Sequence, residues 1–320
     1  MSITLSGYSV GPLLYCPATN TGIYQSLISE KFGTGFSLAF CLEDTIADQH
    51  VEMAEHLLVQ TIQKLYNYKQ EHDYYLPKIF IRIRNKGQIK RLYQNLGQAA
   101  VLVKGFNIPK ITLENADSYI TEIRAVNLNI HNTVYMMPII ESPDIIPMLQ
   151  RQDILYGLKE KFDAVSPLVL NVRVGGNDLC HAFGFRRRNN ESIHSIGPIH
   201  QIFSDVMTVF GMNYVISAAV WEYYNGDGWD SGLSRELEED RLNGFIGKTI
   251  IHPNQISLVK EAYKVPKKDY EDARQILGWE KDAHTLVLGS VSRERMNECK
   301  THSNWAKRVM MQAEAYGVKE

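Results

Sequence analysis

The sequence predicts an α/β protein, a closed (β/α)8 barrel of parallel strands with a C-terminal helical extension. Three observations carry that expectation. Short apolar runs rich in β-branched and aromatic residues recur eight times. Each run is continuously apolar instead of alternating, the pattern of a strand buried on both faces. Segments of helical period separate the runs over roughly 260 residues, the length and rhythm of such a barrel. An open doubly wound sheet is the structural alternative. It usually places a glycine-rich turn after its first strand, where this chain has Pro17-Ala18-Thr19-Asn20.

In chain order the runs fall at residues 13–16, 36–42, 79–83, 100–103, 134–140, 168–174, 214–219 and 249–251. The clearest helix between them covers 47–69, where Val51, Ala54, Leu57, Leu58, Val59, Ile62 and Leu65 make one stripe and the charges fall elsewhere. Further helices are expected at 114–126, 144–159 and 201–210. The barrel domain is expected to cover 1–262. Beyond Gln255 the chain turns helical and polar, and Val265-Pro266-Lys267-Lys268-Asp269 reads as a hinge into an extension over 263–320, a lid or an oligomerisation segment.

With 320 residues, 44% of them hydrophobic, the chain is long enough to bury one large core. Lys and Arg number 34 against 36 Asp and Glu, so no global field draws the protein to nucleic acid or to an anionic membrane. Any anion it binds must meet local basic groups. Cys16, Cys41, Cys180 and Cys299 lie far apart with no CxxC spacing, which argues against a zinc knuckle and against a disulfide framework. The first residues lack a secretory pattern and no apolar run approaches membrane-spanning length, so a soluble, cytoplasmic protein with reduced thiols is expected.

In such a barrel the side chains that carry chemistry stand at the C-terminal ends of strands. Nearly every run here ends in a polar group. The second ends in Leu42-Glu43-Asp44, the third carries Arg82 and Arg84, the fourth leads to Pro109-Lys110 and the fifth ends in Glu141. The sixth leads to Gly175-Gly176-Asn177-Asp178 and the eighth to His252-Pro253. Glu141 and Asp178 end consecutive strands, whose spacing of about 4.8 Å lets two carboxylates share one hard cation. Magnesium is the natural candidate. It would keep waters, leaving positions for the carboxylate and keto oxygens of a 2-oxo acid, and would stabilise the enolate left when an adjacent carbon-carbon bond breaks. Arg82 and Arg84 share one face at strand spacing and suit a carboxylate clamp.

Blander readings compete with these. Either acid alone reads first as a helix cap or a surface charge, and only the pair on neighbouring strands points to function. Asp44 suits a cap as well as a catalytic site, and Lys110 can serve simply to neutralise the pocket. His252 reads as a strand-end residue bonded to backbone before it reads as a general base. Arg186-Arg187-Arg188 reads first as a solvated loop charge, with a grip on a phosphate-bearing substrate tail as the alternative. The aromatic stretch Trp221-Glu222-Tyr223-Tyr224, with Trp229, fits an interface or a cover for the barrel mouth.

Taken in order, the motifs resemble those of the citrate lyase β-subunit and HpcH/HpaI aldolase superfamily. The resemblance rests on Leu14-Tyr15-Cys16-Pro17 followed by Asn20, then Leu42-Glu43-Asp44, Ile81-Arg82-Ile83, Pro109-Lys110 and Ile140-Glu141-Ser142. It continues through Gly175-Gly176-Asn177-Asp178-Leu179 and through Gly244-Phe245-Ile246-Gly247-Lys248 to Ile251-His252-Pro253-Asn254-Gln255. It implies a TIM barrel, usually a homo-oligomer, that uses magnesium to form or cleave bonds in small anionic substrates: 2-oxo acids, hydroxy acids or their coenzyme A thioesters. It implies Glu141 and Asp178 as metal ligands, and Arg82, Glu43 and Asp44 as catalytic residues. The resemblance implies Arg82 as the substrate-binding arginine; Arg84, Lys110, Gly176 and Asn177 are expected as further substrate contacts from their places at the strand ends.

The chain also departs from the pattern. Gly11-Pro12 replaces an arginine that commonly opens the first strand, Arg84 stands where an asparagine is usual, and the fifth-strand motif reads Glu141-Ser142-Pro143. The extra arginine implies a more anionic substrate. Arg295-Met296-Asn297-Glu298 and the later Ala313-Glu314-Ala315-Tyr316-Gly317 resemble a C-terminal lid, with Glu298 near the place of its acidic residue. These features resemble the divergent branch of TIM-barrel carbon-carbon lyases associated with tellurite-resistance-type stress gene clusters. The residues leave two other readings open: a non-catalytic or subunit-dependent component that binds a 2-oxo acid, and phosphoenolpyruvate-type phosphoryl chemistry.

Overall fold

The computed structural model describes residues 6–128, 132–279 and 284–319. Two compact units follow one another, Met1–Val259 and Lys260–Glu320. The first contains eight parallel strands: β1 (Pro12–Pro17), β2 (Ser37–Cys41), β3 (Lys78–Arg82), β4 (Val103–Ile108), β5 (Tyr135–Ile140), β6 (Val172–Val174), β7 (Ile216–Ser217) and β8 (Lys248–Ile250). Helices α1 (Ile23–Ile28), α2 (Val51–Glu71), α3 (Gly87–Leu96), α4 (Leu113–Asn127) and α5 (Met148–Asp163) lie in the successive connections up to β6. They are followed by α6 (Gly176–Phe183), α7 (Gly197–Phe210), α8 (Trp229–Leu242) and, after the last strand, α9 (Gln255–Tyr263).

The strands hydrogen-bond in the order β7-β6-β5-β4-β3-β2-β1-β8. The ring closes just past β7, where Ala218 bridges Lys248 of β8 and its N–H donates to the Gly247 carbonyl at 3.0 Å. The predicted (β/α)8 barrel is therefore the observed one. All five residues of β2 are buried, as expected for a strand covered by helices outside and by packed side chains inside. Leu13, Ala39, Phe80 and Met137 form the inner floor of the barrel with Val10, Tyr135 and Leu170. Toward the C-terminal ends the inward positions turn polar. The Asn107 amide on β4 donates to the Tyr15 hydroxyl on β1 at 3.0 Å, and Arg173 on β6 donates to Thr249 on β8 at 2.7 Å, so both bonds cross between strands that are not neighbours.

Outside the ring, α2 buries Ala54, Leu58, Ile62 and Leu65, four residues of the predicted stripe. Each large aliphatic among them contributes on the order of 1.5–3 kcal/mol. Thr112 caps α4 reciprocally with Asn115, which fixes where the chain leaves the β4 end.

The fourth strand differs from the expected one. Residues Gly97–Leu102 form a 3-10 turn and the strand begins only at Val103. Lys104, Gly105 and Asn107 hide it, because they interrupt the apolar run. Gly105 is required there: a Cβ would stand 2.3 Å from the Tyr135 carbonyl oxygen on the next strand.

The second unit holds α10 (Lys267–Leu277), an antiparallel hairpin of β9 (Val287–Gly289) and β10 (Met296–Glu298), and α11 (Cys299–Tyr316). Val265, Ala273, Ile276, Ala306 and Val309 form its core, and Arg295 ties Asp269 and Asp272 at 2.7 Å each. The segment read as a hinge is ordered otherwise. Val265 N donates to Gly317 O at 3.0 Å and α10 begins two residues later. No helix among the described residues is long and apolar enough to cross a membrane.

Candidate active site

A cavity of about 510 Å³ opens at the C-terminal ends of the strands, and its lining includes Tyr15, Arg82, Glu141, Asp178, Arg186 and Glu222. All belong to the first unit. Arg82, the last residue of β3, is 7% exposed and directs one guanidinium nitrogen, Nη2, at three acids. That nitrogen lies 2.9 Å from Glu43, 3.2 Å from Asp44 and 3.3 Å from Glu141. The guanidinium also lies 5.4 Å from the Tyr15 ring centroid. Burial opposes its charge, but Tyr15, Glu141 and Glu43 outweigh burial and hold it above the usual arginine range.

Glu141 follows β5 and is 3% exposed. Its Oε1 also accepts from the Lys110 backbone N–H at 3.1 Å. Lys110 adopts a left-handed backbone, φ +48°, which costs roughly 1 kcal/mol for a residue with a Cβ. The same turn sends its ammonium to Glu43 at 2.6 Å, Asp44 at 2.9 Å and Asp178 at 3.7 Å. Burial pushes the Glu141 carboxyl up to about 8 against the pull of Arg82, and the Asp178 charge adds to the rise. Burial likewise raises Glu43. Asp44 is held low despite partial burial, by hydrogen bonds with Glu43 and Lys110.

Asp178 lies in the first turn of α6, and the Gly175-Gly176 step that precedes it lets the chain pass close to its neighbours. A Cβ on Gly175 would stand 2.0 Å from Glu141 Oε2 and 2.4 Å from its Cβ. Gly175→Ala is therefore expected to displace the Glu141 carboxylate and weaken magnesium binding by at least about tenfold, measured by calorimetric titration. Unchanged affinity would show that the position of Glu141 is irrelevant to the ion.

The sequence-predicted residues have different fates. Glu43, Asp44, Arg82, Lys110, Glu141 and Asp178 form one cluster, and Gly176 and Asn177 line the cavity beside it. Arg84 needs correction as a substrate contact. Its guanidinium donates to the carbonyls of Leu42 at 3.2 Å and Glu43 at 2.9 Å, to that of Ile46, and to Asp48, so it clamps the β2 loop instead of facing the cavity. His252 stacks on Tyr224 with ring centroids 4.5 Å apart and accepts from the Asn254 N–H, outside the cavity lining. Glu298 belongs to the second unit, where it accepts from the Thr301 hydroxyl at the start of α11. Of the three consecutive arginines, Arg186 lines the cavity, Arg187 is buried and Arg188 is exposed.

The sequence named Tyr15 only within a motif, Thr249 only within a strand and Glu222 only as part of an aromatic stretch, yet all three line the cavity. Strand parity would have found the first two. They sit on β1 and on the β8 ladder at positions that face inward, as Arg82 does on β3.

The cavity lining carries four acids, Asp44, Glu141, Asp178 and Glu222, against two bases, Arg82 and Arg186. With every group ionised the site is electronegative by two, and a buried Glu141 that keeps its proton relieves part of that excess. Among the described residues no set of three or more His, Cys, Asp and Glu side chains is arranged to hold a metal ion. Magnesium requires only one or two carboxylates, its other positions being water or substrate, and hard carboxylate oxygens in an electronegative pocket fit that requirement. Glu141 and Asp178, which line the same cavity, are the residues that could hold it.

The raised Glu141 value has a pH signature. Its folded value, about 8, lies above the ordinary 4.5, so the stability this group contributes in metal-free protein is present below 4.5 and lost as pH rises through about 8. An ion that needs the carboxylate displaces the proton. Apparent magnesium affinity is therefore expected to climb by up to about tenfold per pH unit below that value and to level off above it. Titrations between pH 6 and pH 9.5 check this, and a flat profile would contradict it.

A parallel barrel whose acids and bases crowd the C-terminal mouth is of the class that performs its chemistry on the strand ends. The chain belongs to the family of carbon-carbon bond lyases of the TIM-barrel fold, whose model matches residues 4–318. No curated protein matches the sequence. Among solved structures it is similar to CitE from Mycobacterium tuberculosis in complex with magnesium, acetoacetate and coenzyme A, at 17% identity and a TM-score of 0.60, covering 96% of this chain and 99% of that one. It is also similar to RipC from Yersinia pestis, at 18% identity and a TM-score of 0.53, over 80% and 96% of the two chains. The citrate lyase β subunit from M. tuberculosis complexed with oxaloacetate and magnesium matches at 18% identity and a TM-score of 0.52, over 80% and 98%. At these identities the likeness speaks for the fold.

Proposed function

We propose that the protein is a magnesium-dependent carbon-carbon bond lyase acting on a 2-oxo acid, a hydroxy acid or its coenzyme A thioester. One observation carries the reading: Glu141 and Asp178 open onto a single cavity in which acids exceed bases by two. Magnesium held by this pair would supply the positive charge that stabilises an enolate developing on the substrate oxygen. Arg82 fixes the Glu141 carboxylate and adds a permanent cation behind it. Lys110 holds Glu43 and Asp44 together beside Arg82, where Asp44 lines the cavity and could hold or pass a proton. Tyr15 closes the inner wall with a hydroxyl fixed by Asn107.

That related structures carry magnesium with acetoacetate and coenzyme A, or with oxaloacetate, supports an oxo-acid substrate here. A homo-oligomer in the cytoplasm, with Glu298 on a lid segment, belongs to the same reading. The test incubates the pure protein with magnesium and panels of hydroxy acids and their thioesters, and assays released pyruvate, oxaloacetate or glyoxylate. Magnesium-dependent release from one panel member is the expected result. Tight binding of magnesium and oxo acid without release from any would leave a binding component instead of a lyase.

A further inference from the structure

Breaking a carbon-carbon bond beside a carbonyl asks for two proton transfers. One group takes the proton of a hydroxyl, and another returns a proton to the carbon left as an enolate. The cavity is rich in carboxylates that can take a proton and poor in groups that bring one. Among the described residues that line it there is no histidine, cysteine or lysine. Its guanidiniums keep their protons, and its threonines carry alcohols, weaker acids than a phenol. That leaves Tyr15.

The Tyr15 side chain is built into place. Leu13 and Tyr15 point inward in turn along β1. Leu13 belongs to the barrel floor, and Tyr15 packs against that floor while lining the cavity above it. A phenylalanine would serve the packing alone. The hydroxyl oxygen accepts from Asn107 Nδ2, on β4, at 3.0 Å. Its own proton must therefore point away from that amide, and it is donated to no group among the described residues. The Arg82 guanidinium lies 5.4 Å from the ring centroid and its Nη2 lies 3.3 Å from Glu141, so one planar group joins the phenol to the carboxylate expected at the ion. Burial keeps the phenol protonated, while Arg82 and Arg173 pull the other way. A phenolate formed in passing would meet those two cations and the Asn107 amide.

We infer that Tyr15 is the proton donor to the substrate carbon, its hydroxyl protonating the enolate that cleavage leaves. This rests on the oxo-acid lyase reading above. As the carbon-carbon bond breaks, its electron pair becomes that of the enolate. The Tyr15 O–H bond then breaks as a C–H bond forms on the enolate carbon. The phenolate left behind takes a proton from water, so the residue ends unchanged and nothing is oxidised or reduced.

Run backwards, the step moves a methyl proton of pyruvate onto the phenolate, so it is read as exchange into deuterium oxide, followed by proton NMR. The measurement uses the full-length protein and Tyr15→Phe, each with magnesium and pyruvate in mildly alkaline solution, where part of the phenol is ionised. Magnesium and pyruvate alone give the background. The parent is expected to speed the loss of the methyl signal, and Tyr15→Phe to lower that acceleration by about a hundredfold or more, the usual contribution of a placed acid or base. Calorimetric affinities for magnesium and for pyruvate are expected to stay unchanged, which separates a proton donor from a residue that only shapes the wall. Exchange as fast in the variant, or a parent that binds pyruvate and exchanges nothing, overturns the inference and leaves the magnesium and oxo-acid reading standing. Affinity lost in step with exchange overturns it as well and makes Tyr15 a positioning residue. If magnesium brings about no pyruvate binding in the parent, the reading and the inference fall together. Phenylalanine keeps the ring that packs on the barrel floor, and a melting curve of the variant checks that it folds.

Discussion

Replacing Glu141 and Asp178 together by alanine is expected to lower magnesium affinity by at least about a hundredfold while leaving the protein folded. Both acids open onto the cavity, Glu141 directly after β5 and Asp178 in the first turn of α6, the helix that follows β6. Removing them also removes a repulsion, since the Asp178 charge raises the Glu141 carboxyl, so the scaffold loses little. Arg82 keeps Glu43 and Asp44 as partners. The readout is thermal denaturation with and without magnesium. An ion present at a hundred times its dissociation constant stabilises the native protein by about 2.7 kcal/mol. That increment is expected in the unmodified protein and absent in the double variant. An increment retained in the variant would move the ion elsewhere.

The second large effect is expected behind β8, where the fold buries a charge network with no access to the cavity lining. Lys248 is fully buried, and its ammonium lies 2.8 Å from Glu236 and 2.7 Å from Asp240. Glu236 also pairs with Arg187, and Asp240 bonds the His194 ring at 2.8 Å. Burial would neutralise these groups singly. Lys248 and Arg187 hold the Glu236 carboxyl below its ordinary value, and Asp240 and Glu236 hold the Lys248 ammonium above its own. Lys248→Met keeps the volume and deletes the charge, leaving Glu236 paired with Arg187 and the buried Asp240 carboxylate bonded only to the His194 ring. A loss of about 3–5 kcal/mol is expected, a fall in melting temperature on the order of 10 °C. A melting temperature within a degree or two of the parent would mean that the network contributes nothing net.

The legibility of the sequence followed its physics. Strands buried on both faces must be continuously apolar, so β1, β2, β3 and β5 stood out in the sequence. β4 did not, because barrel geometry demands a glycine at 105 and a polar Asn107 inside, and both break the apolar signal. Acids and bases at strand ends were visible for the same reason the fold was: the barrel puts every strand's C-terminus at one mouth. What spacing could not reveal was where long side chains end. Arg82 and Arg84 share a strand face on paper, but β3 stops at Arg82 and the chain then turns, so Arg84 reaches the carbonyls of the β2 loop. The three arginines at 186–188 look alike in sequence, and only tertiary contacts with Glu236 and Trp221 separate a buried anchor from a cavity-facing neighbour.

The central claim is that two acidic side chains from adjoining strand ends grip one divalent ion. Its most direct measurement is a crystal structure of the protein soaked with magnesium and a 2-oxo acid. The predicted result is an ion within about 2.0–2.1 Å of an oxygen from Glu141 and of one from Asp178, with water and the acid completing an octahedron. An ion seated on other groups, or carboxylates of Glu141 and Asp178 that both remain free of a saturating ion, would contradict it.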